Sequence, residues 1–242
     1  MKIKIRALEY HLADHCNLNC AGCTHFSPIA KPHFASLERF EENLKKLKEW
    51  NFEIGQFNLL GGEPLLHSQV RDFIEIAHKH LTCLICIKTN GILLTDDFIK
   101  FCDETNTKII MTDYGLSKYK NPSMKADKFM CHFISAIPKN NTMCGDISFK
   151  RKYENSCSQL EENGDLHFCG YSANIKHYNS YYETTIPVRK DEDFFNIYDT
   201  SLKRVDIWKK FLLKRPFCDY CRLPVMKPWH RYDGTNEWKA KI

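Results

Sequence analysis

Cys16-Asn17-Leu18-Asn19-Cys20-Ala21-Gly22-Cys23 puts three thiols within eight residues. At the cysteine frequency of this chain, C-x3-C-x2-C is expected by chance roughly 0.03 times. Three thiolates so close together suit an iron–sulfur cluster, which normally takes four cysteine ligands. With the fourth ligand missing, one iron is open to a small molecule, as an open coordination position marks a catalytic zinc. The other chemistry these residues allow is a zinc site completed by His15 or His25. A second set, Cys157, Cys169, Cys218 and Cys221, ends in the pair Cys218-Asp219-Tyr220-Cys221 and makes a complete four-thiolate site for zinc or a second iron–sulfur cluster. A metal there contributes folding free energy to a module with little core of its own. Of the five remaining cysteines, Cys83, Cys86 and Cys102 read as small buried hydrophobes. Cys131 and Cys144 are candidates to face a cavity.

The elements that must hold these residues read as follows. Residues 5–12 alternate like a strand that leads into the first cysteine group. Ser36 caps a helix through Leu37, Phe40, Leu44, Leu47 and Trp50. Residues 56–60 read as a strand ending in Gly61-Gly62, and Val70, Phe73, Ile74 and Ala77 mark the next helix. A strand at 83–89, a helix opened by Thr95-Asp96-Asp97 and a strand at 108–112 complete the alternation, which implies βαβ units around a parallel sheet or barrel. Beyond about residue 150 the style changes. Residues 158–168 read as a hairpin turned at Asn163-Gly164, followed by a polar, Tyr-rich loop with His177, Tyr178, Tyr181 and Tyr182. A helix around Leu202, Val205, Trp208, Phe211 and Leu212 then runs to Pro216.

Parity on the strand before Asn90 puts Lys88 and Asn90 on one face and Ile85, Ile87 and Thr89 on the other. A barrel covered by helices turns the apolar face outward, so Lys88 and Asn90 point into the cavity. The same parity sends Glu9 and His11 inward as substrate contacts. Gly61 and Gly62 let a ligand approach the backbone, and Glu63 offers an acceptor for an ammonium group.

These motifs, in this order, resemble the radical S-adenosylmethionine (radical SAM) superfamily. Cys16, Cys20 and Cys23 match its cluster motif, Gly61-Gly62-Glu63-Pro64 its motif for the SAM amino group, and Lys88-Thr89-Asn90-Gly91 a segment at a later strand end. The resemblance implies an α/β fold, a partial (βα)6 TIM-like barrel over residues 1–150. Residues 151–242 then form a C-terminal hairpin and helix annex like the Twitch module, carrying one auxiliary 4Fe-4S cluster. It implies two 4Fe-4S clusters, SAM as cofactor, a small-molecule substrate and a flavodoxin or ferredoxin-type reductant. Size and layout are similar to the 2-deoxy-scyllo-inosamine dehydrogenases of that superfamily. The expected activity is hydrogen abstraction by a 5′-deoxyadenosyl radical from a small polar, sugar-like molecule, with oxidation or epimerisation at a carbinol carbon. For epimerisation Cys131 or Cys144 returns the hydrogen atom. The superfamily's usual aromatic residue before the third cysteine is here Gly22, so His25 or Phe26 takes over the packing near adenine. Two alternatives stand beside this: a maturase of ribosomal peptides, for which no leader-binding segment fits ahead of Cys16, and a zinc-stabilised binding protein without enzymatic activity.

Composition excludes several classes. With 12 cysteines, 43% hydrophobic residues and a net charge of +5 in 242 residues, the chain has ordinary globular composition. No apolar run approaches a membrane span and no signal peptide is visible, so a cytoplasmic protein is expected. Lys and Arg mix with acids on helices, as solvated faces do, so neither nucleic acid nor membrane is expected as a partner.

Overall fold

The computed structural model describes residues 3–125, 128–131, 134–135, 138, 158–212, 215–222, 225–235 and 238–239. Strand β1 (Ile3–Ala13) leads into the cysteine loop, and helix α1 (Leu37–Trp50) returns the chain to β2 (Phe52–Gly61). Helix α2 (Val70–His80), β3 (Leu84–Thr89), α3 (Asp96–Glu104) and β4 (Lys108–Met111) repeat the pattern. β1 to β4 pair in parallel, in the order β4-β3-β2-β1. The helices start where their caps require. Ser36 accepts from the Arg39 amide at 3.3 Å, and Thr95 Oγ1 from the Phe98 amide at 3.1 Å. Leu8, Tyr10 and Leu12 are buried with Phe40 and Leu44 of α1, and the Tyr10 and Phe40 ring centroids lie 4.7 Å apart. That apolar layer leaves the opposite face of β1, with Glu9 and His11, for the site.

The hairpin β6 (Ser158–Leu160) and β7 (Asp165–His167) does not stand apart from the core. β6 pairs in parallel with β1, with Glu9 opposite Gln159, and the hairpin with β8 (Phe194–Asn196) extends the sheet to seven strands. Its turn has Gly164 at φ +88°, the left-handed region expected there.

The segment read as a polar loop is instead a helix, α4 (Gly170–Tyr182). It has no single apolar stripe, because it is covered on several sides: Tyr171, Ser172, Ala173, Asn174, Ile175 and Tyr178 are all buried. Polar side chains are tolerated there because they are paired. Asn174 Nδ2 donates to Gln159 Oε1 at 2.8 Å and to the Gly170 carbonyl at 2.7 Å. Of the four polar and aromatic residues read in that loop, Tyr181 is exposed, Tyr178 is buried in a second core and Tyr182 packs against that core. His177 alone approaches the site, with Nε2 3.6 Å from Asp14 Oδ2.

This second core joins Phe26 and Ile29 of the cysteine loop to Tyr171, Ile175, Phe217 and Trp238. Helix α5 (Arg204–Leu212) and a short 3-10 helix (Pro216–Asp219) precede the tail. The tail strand β9 (Val225–Pro228) pairs antiparallel with β5 (Lys128–Cys131). It then runs along the cysteine loop, where the Ala21 amide donates to the His230 carbonyl at 3.1 Å and the Tyr232 amide to the Asn19 carbonyl at 2.8 Å. Among the described residues no helix is long and apolar enough to cross a membrane.

Candidate active site

The loop that carries the first three cysteines is curled by three residues in the left-handed region: Asn19 (φ 56°), Gly22 (φ 63°) and Phe26 (φ 55°). Glycine is needed twice opposite it. A Cβ on Gly61 would sit 2.1 Å from the Ala13 carbonyl oxygen, and one on Gly62 2.1 Å from that of His15. The close approach expected of a ligand is therefore made first by the chain's own backbone. The Gly62 amide donates to the Ala13 carbonyl at 2.7 Å and the Glu63 amide to the His15 carbonyl at 3.1 Å, fastening the cysteine loop to the end of β2.

Cys16, Cys20 and Cys23 line one cavity of about 290 Å³ together with Gly61, Gly62, Lys88, Thr89 and Asn90. None of the three is in a disulfide. Burial pushes the Cys16 thiol up to about 11 and the Cys20 thiol up to about 12. Donors nevertheless point at both sulfurs. The Leu18 amide lies 3.4 Å and Asn90 Nδ2 3.6 Å from Cys16 Sγ, and Trp229 Nε1 3.1 Å from Cys20 Sγ. Partly buried sulfurs surrounded by N–H donors fit thiolates bound to a metal cluster, which supplies the positive charge that burial otherwise withholds.

Glu63 does not serve as a free acceptor on the cavity wall. Its side chain is fully buried. Oε1 accepts from Thr89 Oγ1 at 2.7 Å and from the Leu65 amide at 3.1 Å, and Oε2 accepts from the Asn90 amide at 2.8 Å. Burial raises its pKa, and these donors offset only part of the rise. The carboxylate is a tie between the ends of β2 and β3. It thereby places Asn90, whose Nδ2 also donates to Asn17 Oδ1 at 2.7 Å. The motif alone does not reveal this: it names the carboxylate and not the three neighbouring donors that engage it.

Lys88 reaches the cavity as expected, and its Nζ lies 2.7 Å from Glu9 Oε1. Its remaining protons are available to another acceptor. His11 Nε2 and His25 Nδ1 are 2.9 Å apart, and His11 Nδ1 lies 3.4 Å from Asp14 Oδ1. Burial, with the charges of His11 and Lys88 adding to it, pushes His25 well below the usual imidazole range. Burial works against the Asp14 carboxylate, but His11 and then His177 overcome it and hold it at about 2. His25 lines the cavity, whereas Phe26 is fully buried against Tyr171 (centroids 5.1 Å) and Trp238 (5.6 Å). Phe26 is therefore not placed to pack near adenine. A larger cavity of about 430 Å³ beyond His11 and Asp14 holds no thiol. Charged groups on its wall already pair, as His33 Nε2 does with Glu162 Oε2 at 2.8 Å, so the smaller cavity is the candidate site.

Of the second cysteine set, Cys169 opens α4, Cys218 is buried in the 3-10 helix and Cys221 lies just beyond it; Cys157 is outside the described residues. Cys169 and Cys218 act on the same buried Arg215. Burial lowers that guanidinium to about 10, against the pull of Cys218, Cys169 and Asp193. Cys86 and Cys102 are fully buried and Cys83 packs against the core, as apolar residues do. Cys144 lies outside the described residues, and of Cys131 only the backbone, in β5, is described. Trp229 and Tyr114, both on the cavity wall, carry no signal in the sequence. Nothing local marks a tryptophan 209 residues from its sulfur partner.

Residues 10–114 match the model of the Radical SAM superfamily. A GTP 3′,8-cyclase of Clostridium perfringens is 37% identical over 95 residues, which are 38% of this chain and 29% of that protein. An S-adenosylmethionine-dependent nucleotide dehydratase of Lacinutrix mariniflava is 33% identical over 103 residues, 40% of this chain and 21% of that protein. The chain thus matches less than a third of the length of these curated relatives. Among solved structures, BtrN in complex with AdoMet and 2-DOIA matches with a TM-score of 0.55 at 16% identity, over 91% of this chain and 94% of BtrN. That likeness extends the shared fold across nearly the whole chain.

Proposed function

From the radical SAM superfamily domain that residues 10–114 form, we propose that this enzyme abstracts hydrogen from a small polar, sugar-like substrate and oxidises or epimerises a carbinol carbon. A 4Fe-4S cluster on Cys16, Cys20 and Cys23 with S-adenosylmethionine supplies the 5′-deoxyadenosyl radical. The chain's own residues bind and orient. Lys88 and Asn90 meet the SAM carboxylate and amino end, while the Gly61-Gly62 turn keeps the cysteine loop in place. Glu9 and His11, the one paired with Lys88 and the other with His25, offer charged and hydrogen-bonding groups to hydroxyls or an amine.

The observation that carries the reading is the polar lining of the cavity beside the three thiols, His25, Lys88, Thr89 and Asn90, with Glu9 and His11 standing behind Lys88 and His25. BtrN, whose crystal holds AdoMet and 2-DOIA, shares the fold and lends the reading its substrate class by analogy only. Cys157, Cys169, Cys218 and Cys221 would hold an auxiliary 4Fe-4S cluster, able to take the electron that the substrate gives up with a proton once its hydrogen atom has been abstracted. A flavodoxin or ferredoxin-type protein would supply the separate electron that cleaves SAM. In epimerisation the hydrogen atom returns from the thiol of Cys131 or Cys144, and the thiyl radical left behind takes an electron from the reductant and a proton from solvent.

The test is anaerobic incubation with SAM, reductant and a panel of aminocyclitols and sugars in deuterated water. A product two hydrogens lighter, formed with deoxyadenosine, marks oxidation; an isomer carrying one deuterium marks epimerisation. Turnover of peptides and of nothing in the panel overturns the reading in favour of peptide maturation.

A further inference from the structure

We propose that Trp229, on the C-terminal tail, sets the reduction potential of the cluster assigned to Cys16, Cys20 and Cys23. The inference rests on that assignment. Among the N–H donors aimed at these sulfurs, the Trp229 indole approaches closest, at 3.1 Å from Cys20 Sγ against 3.4 and 3.6 Å for the two at Cys16. It is held there on two sides. Its ring packs against Tyr114, centroids 5.3 Å apart, and the residues just after it pair with the cysteine loop through the Ala21–His230 and Tyr232–Asn19 backbone bonds. The Cys20–Arg231 bridge closes the same contact.

Reduction adds one electron to the cluster, and part of the added charge spreads onto its sulfurs. An N–H donor bonds more strongly to the more negative sulfur, so it favours the reduced state and raises the potential. The indole also occupies the cavity wall beside Cys20, where solvent would otherwise reach the sulfur. The tail thereby acts on the electron-accepting step of a loop more than two hundred residues upstream.

The test is redox titration of the anaerobically reconstituted full chain, followed by electron paramagnetic resonance. The signal to follow is the one that changes on adding SAM, because only the three-cysteine cluster has an open iron. Trp229→Phe, which keeps the ring and removes the donor, is expected to shift the midpoint to more negative potential. Trp229→His, which restores an N–H, is expected to recover part of the shift, and Met226→Ala, an exposed neutral side chain earlier on the tail, to leave the midpoint in place. If Trp229→Phe does not load, wild-type protein labelled with 15N-tryptophan decides by electron–nuclear double resonance. A nitrogen coupling to the reduced cluster that is lost in the equally labelled Trp229→His chain, which keeps Trp238 at the Cys23 carbonyl, supports the inference, and the absence of such a difference overturns it. A loaded Trp229→Phe chain at the wild-type midpoint also overturns it. A wild-type chain that binds no iron at the three cysteines defeats the cluster assignment itself.

Discussion

The two cysteine sets are built in opposite ways. The first lies in one loop, three sulfurs within eight residues, and its rigidity comes from neighbours that fasten the loop: the Gly62 and Glu63 amides on one side, the tail on the other. The second draws on the segment before β6, the start of α4 and a 3-10 helix after α5, so its geometry exists only once the C-terminal half has folded. A local set can leave a coordination position open because the backbone, not a fourth thiolate, holds it. A dispersed set with four thiolates uses the metal as a cross-link. On the proposed assignment the first serves chemistry, and the second electron transfer with structural support.

The most severe disruption is expected at the first set. Cys20→Ala should lower bound iron from about eight per chain to about four and abolish SAM cleavage, while Cys218→Ala should lose a similar share of iron and keep that cleavage. Iron analysis beside deoxyadenosine quantification separates the two. Loss of cleavage in both variants would erase the division of labour.

Next comes the fastening. Gly62→Ala drives a Cβ into the His15 carbonyl, and the flanking backbone cannot yield without moving Cys16. We expect failure to retain iron at the first set, read by the loss of its SAM-responsive signal, with the second set still loaded. Glu63→Ala leaves the Thr89 hydroxyl and the Asn90 amide without their buried acceptor and should cost about 2–4 kcal/mol in chemical denaturation. A loss under about 1 kcal/mol would show that water replaces the carboxylate at little cost.

A smaller effect sharpens the other side of the comparison. Glu161, at the hairpin, pairs with Lys176 and with His167 Nε2 at 3.2 Å. Burial raises its carboxyl, but His167 and Lys176 more than offset this and hold it at about 2, against an ordinary value of 4.5. A depressed folded-state pKa gives stability that is present above about pH 4.5 and lost as pH falls towards 2. The span corresponds to about 3 kcal/mol. Glu161→Gln should flatten the acid limb of the unfolding curve by about that amount, and an unchanged limb would show that the pairing is of no consequence in solution.

What the sequence makes legible follows the same divide. β1 to β4 and α1 to α3 can be read from it because each has one apolar face, and Ser36 and Thr95 announce where their helices start. The cysteine loop can be read because its ligands are contiguous. Glu63 is visible but its role is not: a motif names the carboxylate and leaves out the Thr89 and Asn90 donors that the fold brings to it. Helix α4 is hidden because its buried polar residues, Asn174 above all, mimic a loop until Gln159 is in place. Trp229 is hidden for the same reason, since its meaning depends on a contact with Cys20 across the chain.

The iron–sulfur cluster proposed on Cys16, Cys20 and Cys23 underlies both sides of the comparison. The direct measurement is 5′-deoxyadenosine formed by the anaerobically reconstituted chain given dithionite and SAM, beside the same chain with Cys20→Ala. Deoxyadenosine is expected from the wild type and none above background from the variant. Iron-loaded wild type that leaves SAM intact, or a variant that cleaves it equally well, would contradict a cluster at these three cysteines.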